Sequence, residues 1–213
     1  MDYILDVLPR LLSGAGVTIQ VFCMVLVLSL PLGAVVAFLM RIHFPPLRWL
    51  LNLYVLIMRG TPLLLQLIFI YYVLPMIGVT FDRMPAVIIA FTLNYAAYFS
   101  EIFRGGIDAI PEGQYEAAKV LKFTHLQTIR YIILPQVVKI VLPSVFNEVI
   151  NLVKDTSLVY ILGVGDLLQA SKTAANRDAS LAPMFIAGAI YLIMIGITTL
   201  GSKWIEKKFD YYK

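Results

Sequence analysis

Long apolar runs separated by short polar clusters dominate the chain. Nearly unbroken apolar stretches occupy 17–40, 62–79, 85–103, 135–153 and 183–201. Each approaches the ~20 residues a helix needs to cross the hydrocarbon core of a bilayer. The pattern predicts an all-α integral membrane protein, with about five transmembrane helices in a single domain over 1–213. The 31 residues of 49–79 are too many for one simple crossing and too few for two with a loop, and Arg59-Gly60-Thr61-Pro62 interrupts them. A threonine hydroxyl can cap a helix, and proline suits the first helical turn, where no N–H donor is needed. The crossing helix is therefore expected to begin near Pro62, leaving Arg59 at the cytoplasmic interface. Residues 49–58 would then run along the membrane surface or extend the helix inward.

Five spans put the two termini on opposite sides, and the loop charges choose between the orientations. Arg41, Arg48, Arg104, Lys119, Lys122, Arg130, Lys203, Lys207, Lys208 and Lys213 fall on one side; Arg10, Arg83, Lys172 and Arg177 fall on the other. The positive-inside rule places the N-terminus outside and the C-terminus in the cytoplasm.

Composition agrees. Apolar residues make up 60% and charged residues 14%, with a mean hydropathy of +0.85, against roughly 45–50% and about 25% in soluble proteins. Cys23 is the single cysteine and lies in an apolar run, which excludes an intramolecular disulfide or a cysteine-based zinc site. His43 and His125 are far apart in sequence, so no histidine-rich metal centre is expected. The net charge of +4 comes from bases clustered between apolar runs, a juxtamembrane pattern and not a nucleic-acid footprint. The N-terminus is acidic (Asp2, Asp6) and followed by Pro9, unlike the basic n-region of a cleaved signal peptide. The first span is expected to serve as its own insertion signal.

The connection at 104–134 is long for a chain otherwise built of short loops, and loops of that length are usually functional or disordered. Pro111-Glu112-Gly113-Gln114 reads as a turn, 115–121 as a short helix, and 125–134 as a second helical piece leading to Pro135. A helix–turn–helix held parallel to the membrane would make a docking surface for a cytoplasmic partner; a solvated linker is the alternative.

These residues carry a resemblance. Glu116-Ala117-Ala118 followed by Ile132, Leu134 and Pro135 is similar to the loop signature of ABC-importer permeases: E-A-A, three residues, G, nine residues, I-x-L-P. Arg59-Gly60-Thr61-Pro62-Leu63-Leu64-Leu65-Gln66 resembles the polar amino-acid (histidine/glutamine-type) branch of that family. So do Ala96-Ala97-Tyr98 with Glu101, Arg104-Gly105-Gly106-Ile107, Gly113-Gln114 and Lys154-Asp155-Thr156-Ser157-Leu158. The resemblance spans roughly 14–206.

It implies the type I importer permease fold. Gly113, Glu116, Ala117, Ala118, Leu121 and Lys122 would form the ATPase-coupling loop, seated on a separate ABC ATPase that binds ATP and Mg. It also implies a second permease copy or a similar permease, an extracytoplasmic solute-binding protein, a polar amino-acid substrate and a bacterial-type inner membrane. Neither catalytic residues nor a cofactor or metal are expected in this chain. In keeping with that, no G-x-x-x-x-G-K-[ST] phosphate loop occurs. Leu12-Ser13-Gly14-Ala15-Gly16 looks like an ATPase signature only superficially. The family's usual glycine after E-A-A is Lys122 here. A left-handed turn at that place costs a side chain about 1 kcal/mol or more, so either the turn differs or it closes one residue away.

Ionisable and amide groups at membrane depth usually face a cavity or a partner helix. At about 100° per residue, Ser144, Asn147, Glu148, Asn151, Lys154 and Asp155 share an arc of roughly 120° on the fourth span, and Asn94, Tyr98 and Glu101 lie within roughly 60° on the third. Such stripes would line a route for a small zwitterion, or would glue helices across a dimer seam. The pathway candidates are Asn94, Tyr98, Glu101, Asn147, Glu148, Asn151 and Asp155; Asp155 could meet a substrate ammonium, and Asn94 or Tyr98 its carboxylate. Pro31 and Pro143 fit hinges or plain packing. Tyr71, Tyr72 and Trp204 fit interfacial anchoring. The favoured reading is a permease subunit of an ATP-driven importer for a polar amino acid. Its rivals are an ion-gradient-driven carrier, which usually contains duplicated halves, and a non-transporting membrane component.

Overall fold

The computed structural model describes residues 2–209. Lys213, counted above among the bases, lies outside the described residues, as does the side chain of Asp2. All regular structure among the described residues is helical. In order come α1 (Asp2–Met40), α2 (Pro45–Gly60) and α3 (Leu63–Ile68), the last prolonged by a wide turn (Phe69–Val73) and a tight one (Leu74–Ile77). Then follow α4 (Arg83–Asp108), α5 (Glu112–Val120), α6 (His125–Gln127), α7 (Leu134–Asp155), α8 (Leu167–Asp178) and α9 (Ala182–Phe209). Among the described residues four helical runs are long and apolar enough to cross a membrane: Asp6–Met40, Arg83–Asp108, His125–Leu162 and Ala182–Phe209. The α2–α3 segment passes the same test only when its two parts are taken together across a bend of 108°, which makes five spans if the pair counts as one.

α4 is the hub. Its Val87, Phe91, Tyr95 and Phe99 are buried against Val21 and Val25 of α1 and Leu63 and Leu67 of α3. Gly106 explains how α4 and α7 approach so closely, because a Cβ there would collide with the Val141 side chain.

α1 begins fifteen residues before the expected 17. Val7, Leu11 and Ala15 repeat at helical spacing and are buried against Leu167, Ala174 and Ala187 of α8 and α9. Gly14 permits that contact, since its Cβ would lie 2.9 Å from the Asp166 carbonyl oxygen. Gly14 of the Leu12–Gly16 segment thus serves helix packing. α8 was not expected at all, being too polar to register as a span; its apolar face is one-sided, with Leu167, Ser171, Ala174 and Ala175 buried.

The expected second piece at 125–134 is not a separate helix. It starts at a capping box, in which the Thr124 hydroxyl accepts from the Gln127 N–H (3.3 Å) and Gln127 Oε1 accepts from the Thr124 N–H (2.8 Å). It then runs through a wide turn (Thr128–Ile133) into α7. Pro135 occupies the first positions of α7, while Pro9, Pro31 and Pro143 lie inside helices that continue past them.

The break between α2 and α3 falls where the sequence placed it, but its chemistry differs. Thr61 does not cap α3. Its hydroxyl donates to the Ile57 carbonyl (2.8 Å) and accepts from Gln66 Nε2 (2.8 Å). Residues 49–58 belong to α2, a helix turned across the axis of α3, and not an extension of it. The Met58 carbonyl, left without a helical partner, receives both Gln66 Nε2 (2.9 Å) and Asn94 Nδ2 (2.8 Å), and Asn94 Nδ2 also donates to Gln66 Oε1 (3.0 Å). A break inside a membrane helix is tolerated only where such partners satisfy the freed backbone.

Replacing Gln66 or Asn94 by Leu should therefore each lower stability by about 1–3 kcal/mol. The double variant should cost clearly less than the sum, with a coupling of ~0.5 kcal/mol or more, because both amides serve one carbonyl. Thermal unfolding of the purified chain in mild detergent measures all three.

Asp166 caps α8 by accepting the Leu168 N–H (2.9 Å), yet the residue is fully buried and its Oδ1 has no hydrogen-bond partner among the described residues. Burial pushes its carboxyl up to about 6. A carboxyl raised above its unfolded value of ~4 opposes folding once it is ionised, so its contribution worsens as pH rises from about 4 through 6. Asp166→Asn, which keeps a capping oxygen, should raise stability by ~2 kcal/mol at pH 8 and by little at pH 4. Unfolding curves at the two pH values test this.

Candidate translocation pathway and coupling surface

The polar face of α7 forms as expected. Val137, Val141, Val149, Leu152 and Val153 are buried, whereas Asn147 is exposed and Glu148, Asn151 and Asp155 are half-buried. Tyr95, which the sequence reading passed over, donates its hydroxyl to Asp155 Oδ2 (2.7 Å) and so ties α4 to the end of α7. On α4, Tyr98 and Glu101 are half-buried, but Asn94 is 5% exposed and its amide is committed to the helix break. The structure thus separates Asn94 from the open polar face and gives it a scaffolding role.

Arg59 is the other residue missed as a site candidate. The end of α2 carries it over the Tyr98 ring, with the guanidinium carbon 5.2 Å from the centroid, and 3.5 Å from Glu101 Oε2. Glu148 lies within electrostatic range of Arg59, Lys154 and Asp155. Glu101 is held further by a two-point pair with Arg104 (Nε 2.9 Å, Nη2 2.7 Å). Arg104 also reaches Asp108 (3.2 Å), which pairs with Arg41 at the end of α1 (2.6 Å). A charged chain therefore runs from α2 along α4 to α1. Glu101 is neutralised within it; among the described residues Glu148 and Asp155 make no ion pair. The resulting open face carries one guanidinium on an aromatic ring and two carboxylates not matched by bases, a set that can bind a group bearing both a carboxylate and an ammonium.

In the coupling region apolar groups are exposed beside the charged ones. Ala118 is fully buried and seats α5, while Gly113, Glu116, Ala117, Leu121 and Lys122 are exposed. Val120 (81% exposed) and Leu126 (74%) extend this surface; neither was picked out from sequence, since isolated apolar residues in a loop give no periodic signal. Lys122 has φ +56°, so it adopts the left-handed conformation itself. The Phe123 N–H bonds the Ala118 carbonyl and the Lys122 N–H bonds the Lys119 carbonyl, each at 3.0 Å, the paired bonds of a Schellman helix end. The turn neither differs nor shifts by a residue.

The profile of the family described as "Binding-protein-dependent transport system inner membrane component" matches residues 29–211. The chain belongs to this family. It is 36% identical over 203 residues to the arginine transport system permease protein ArtQ of Bacillus subtilis, covering 94% of this chain and 93% of that protein. It is 37% identical to the L-cystine transport system permease protein TcyB of the same species, with 96% and 88% covered. It is also 37% identical to the putative glutamine transport system permease protein GlnP of Rickettsia felis, with 97% of each covered. Among solved structures, an amino acid ABC transporter "with histidines" superposes with a TM-score of 0.90 at 30% identity, covering 96% of both chains. The MetNI methionine transporter shares the fold at 18% identity and a TM-score of 0.73. The all-helical membrane architecture, the type I importer permease fold and the family resemblance read from the sequence all hold.

Because a left-handed lysine is strained relative to glycine, Lys122→Gly should strengthen the end of α5 by about 1 kcal/mol. Slower amide exchange at Leu121, Lys122 and Phe123 is the expected signature. Unchanged exchange would mean that the lysine is held without strain.

Proposed function

We propose that this inner-membrane transport component is the permease subunit of an ABC importer for a polar amino acid. It would work as half of a dimeric pathway, with a second copy or a similar permease facing it. The observation that carries this reading is the polar face of α2, α4 and α7, where Arg59 lies on Tyr98 and within electrostatic range of Glu148, with Asn151 and Asp155 on the same face of α7, and where none of the five is buried. The Arg59 guanidinium would take the substrate carboxylate, and Glu148 with Asp155 its ammonium. This arrangement favours Arg59 over Asn94 as the carboxylate partner. ArtQ, TcyB and GlnP are named for arginine, cystine and glutamine, and all three substrates carry that pair of groups.

The chain would do no covalent chemistry. The end bearing α5 would face the cytoplasm, with the N-terminus and α8 outside, in line with the loop charges. Glu116, Ala117, Val120 and Leu121 would seat α5 in a groove of a separate ATPase, which binds ATP and Mg and drives rocking of the spans. An extracytoplasmic binding protein would deliver substrate to the α8 end. The mutual approach of α4 and α7 at Gly106 would carry motion of the coupling region into the helices that line the route.

Gentle purification from native membranes should bring down an ATPase subunit near one-to-one, with hydrolysis raised by a binding protein and one amino acid. Uptake that continues without ATP and collapses with an ion gradient would overturn the importer reading. Within it, Asp155→Asn and Arg59→Gln should each lower uptake about tenfold or more while ATPase association is kept, since hydrogen bonds to charged groups contribute ~1.5–3 kcal/mol. Glu116→Lys should do the reverse, reducing ATPase association. If Asp155→Asn and Arg59→Gln transport normally, the polar face is a seam and not a route.

A further inference from the structure

The two histidines, distant in sequence, meet at one cavity. It measures about 700 Å³ and lies between the ends of α1 and α4, the wide turn at Thr128–Ile133 and the start of α7. Its wall is made of alkyl and aromatic groups, among them Ala34, Phe103, Ile107, Ile133 and Val138, and its remaining lining includes Arg41, His43 and His125. Arg41 and His43 are shared with an adjoining cleft that also holds Arg48, Arg104 and Asp108. Asp108 is the carboxylate of that cleft, and it is paired with Arg41 and Arg104. Arg48 and both histidines form no ion pair among the described residues.

The alkyl and aromatic wall of this groove offers water no hydrogen-bond partner, and left uncovered it lacks the dispersion contacts of a packed interior. Polar solutes gain nothing from such a wall, since they would give up hydration without hydrogen-bond partners. At the depth where α1 and α4 end, the medium at hand that can fill it is the acyl chain of a lipid. The cationic and imidazole groups then select the head group, because basic pockets between membrane helices on the cytoplasmic side attract anionic lipid phosphates.

We infer that this cavity is a binding site for one anionic phospholipid, an acyl chain lying among Ala34, Phe103, Ile107 and Val138 and the phosphate held by Arg41, His43 and His125. Tyr115 of α5 also lines the cavity, so the lipid would be wedged between the spans and the coupling region and would brace one against the other. Its place in the cytoplasmic leaflet rests on the orientation proposed above; the binding itself does not.

The test uses the full chain, purified with any subunit it carries and placed in bilayer discs of equimolar phosphatidylcholine and phosphatidylglycerol. After mild detergent stripping, native mass spectrometry counts the lipids retained. One phosphatidylglycerol per chain is expected. Ala34→Trp, which fills the cavity from an exposed position, should lower retention about tenfold, and Val138→Trp is the substitute if the first variant does not fold. His43→Glu combined with His125→Glu should reduce the preference for phosphatidylglycerol over phosphatidylcholine by ~5-fold or more. No retained lipid, equal retention of both lipids, or full retention by a folded filling variant would overturn the proposal. So would a cysteine at Val138 cross-linking to a second copy of the chain. Discs expose both leaflets, so the outcome does not depend on insertion direction, which cysteine labelling from each side tests separately.

Discussion

A backbone carbonyl released inside a membrane must find a donor within the protein, and this requirement organises the molecule. At the end of α2 the Met58 carbonyl has no helical partner, and two side-chain amides converge on it, Gln66 from α3 and Asn94 from α4. Neither amide is free to go elsewhere, because Asn94 also donates to Gln66 and Gln66 also donates to Thr61. The knot lets the chain turn by 108° without exposing unpaired backbone to lipid. Its cost is that three polar residues are spent on scaffolding in the part of the chain where substrate-binding groups would otherwise be sought.

What the bend achieves is the position of Arg59. A straight helix through 49–79 would carry this residue past α4; the turned α2 sets it on Tyr98 and beside Glu101. From there the alternating charges of Glu101, Arg104, Asp108 and Arg41 reach the end of α1. Most of these pairs are substantially exposed, so as isolated surface pairs they would contribute little to stability. Their consequence is positional: they join the ends of three helices beside the coupling region, and they leave Glu148 and Asp155 as the carboxylates without matching bases on the open face.

The coupling loop shows a second compromise between sequence and backbone. The left-handed residue that ends α5 is a lysine, and the paired hydrogen bonds of the turn form around it nonetheless. The geometry demanded by the seat of Ala118 and the exposure of Glu116, Ala117 and Val120 outweighs the local preference for glycine. Lys122 also places a cation at the C-terminal end of the helix, where the macrodipole favours one.

Hydrophobic length and charge placement are one-dimensional properties, so the sequence by itself determined the membrane class, the apolar runs of about five spans, the break before Pro62 and the polar arc of α7. Ordered short motifs, read as a resemblance, determined the family. Three-dimensional neighbours were needed for everything that depends on which surfaces meet. The sequence could not show that α1 extends back to Asp2, because those turns are stabilised by α8, a helix too polar to announce itself. Nor could it separate Asn94 from Tyr98 and Glu101, which share a helical face but differ in what packs above them. The same holds for Arg59, Gln66 and Tyr95, whose roles arise from partners 28 to 60 residues away, and for the two histidines, which only the packing of α1 against the start of α7 brings to one cavity.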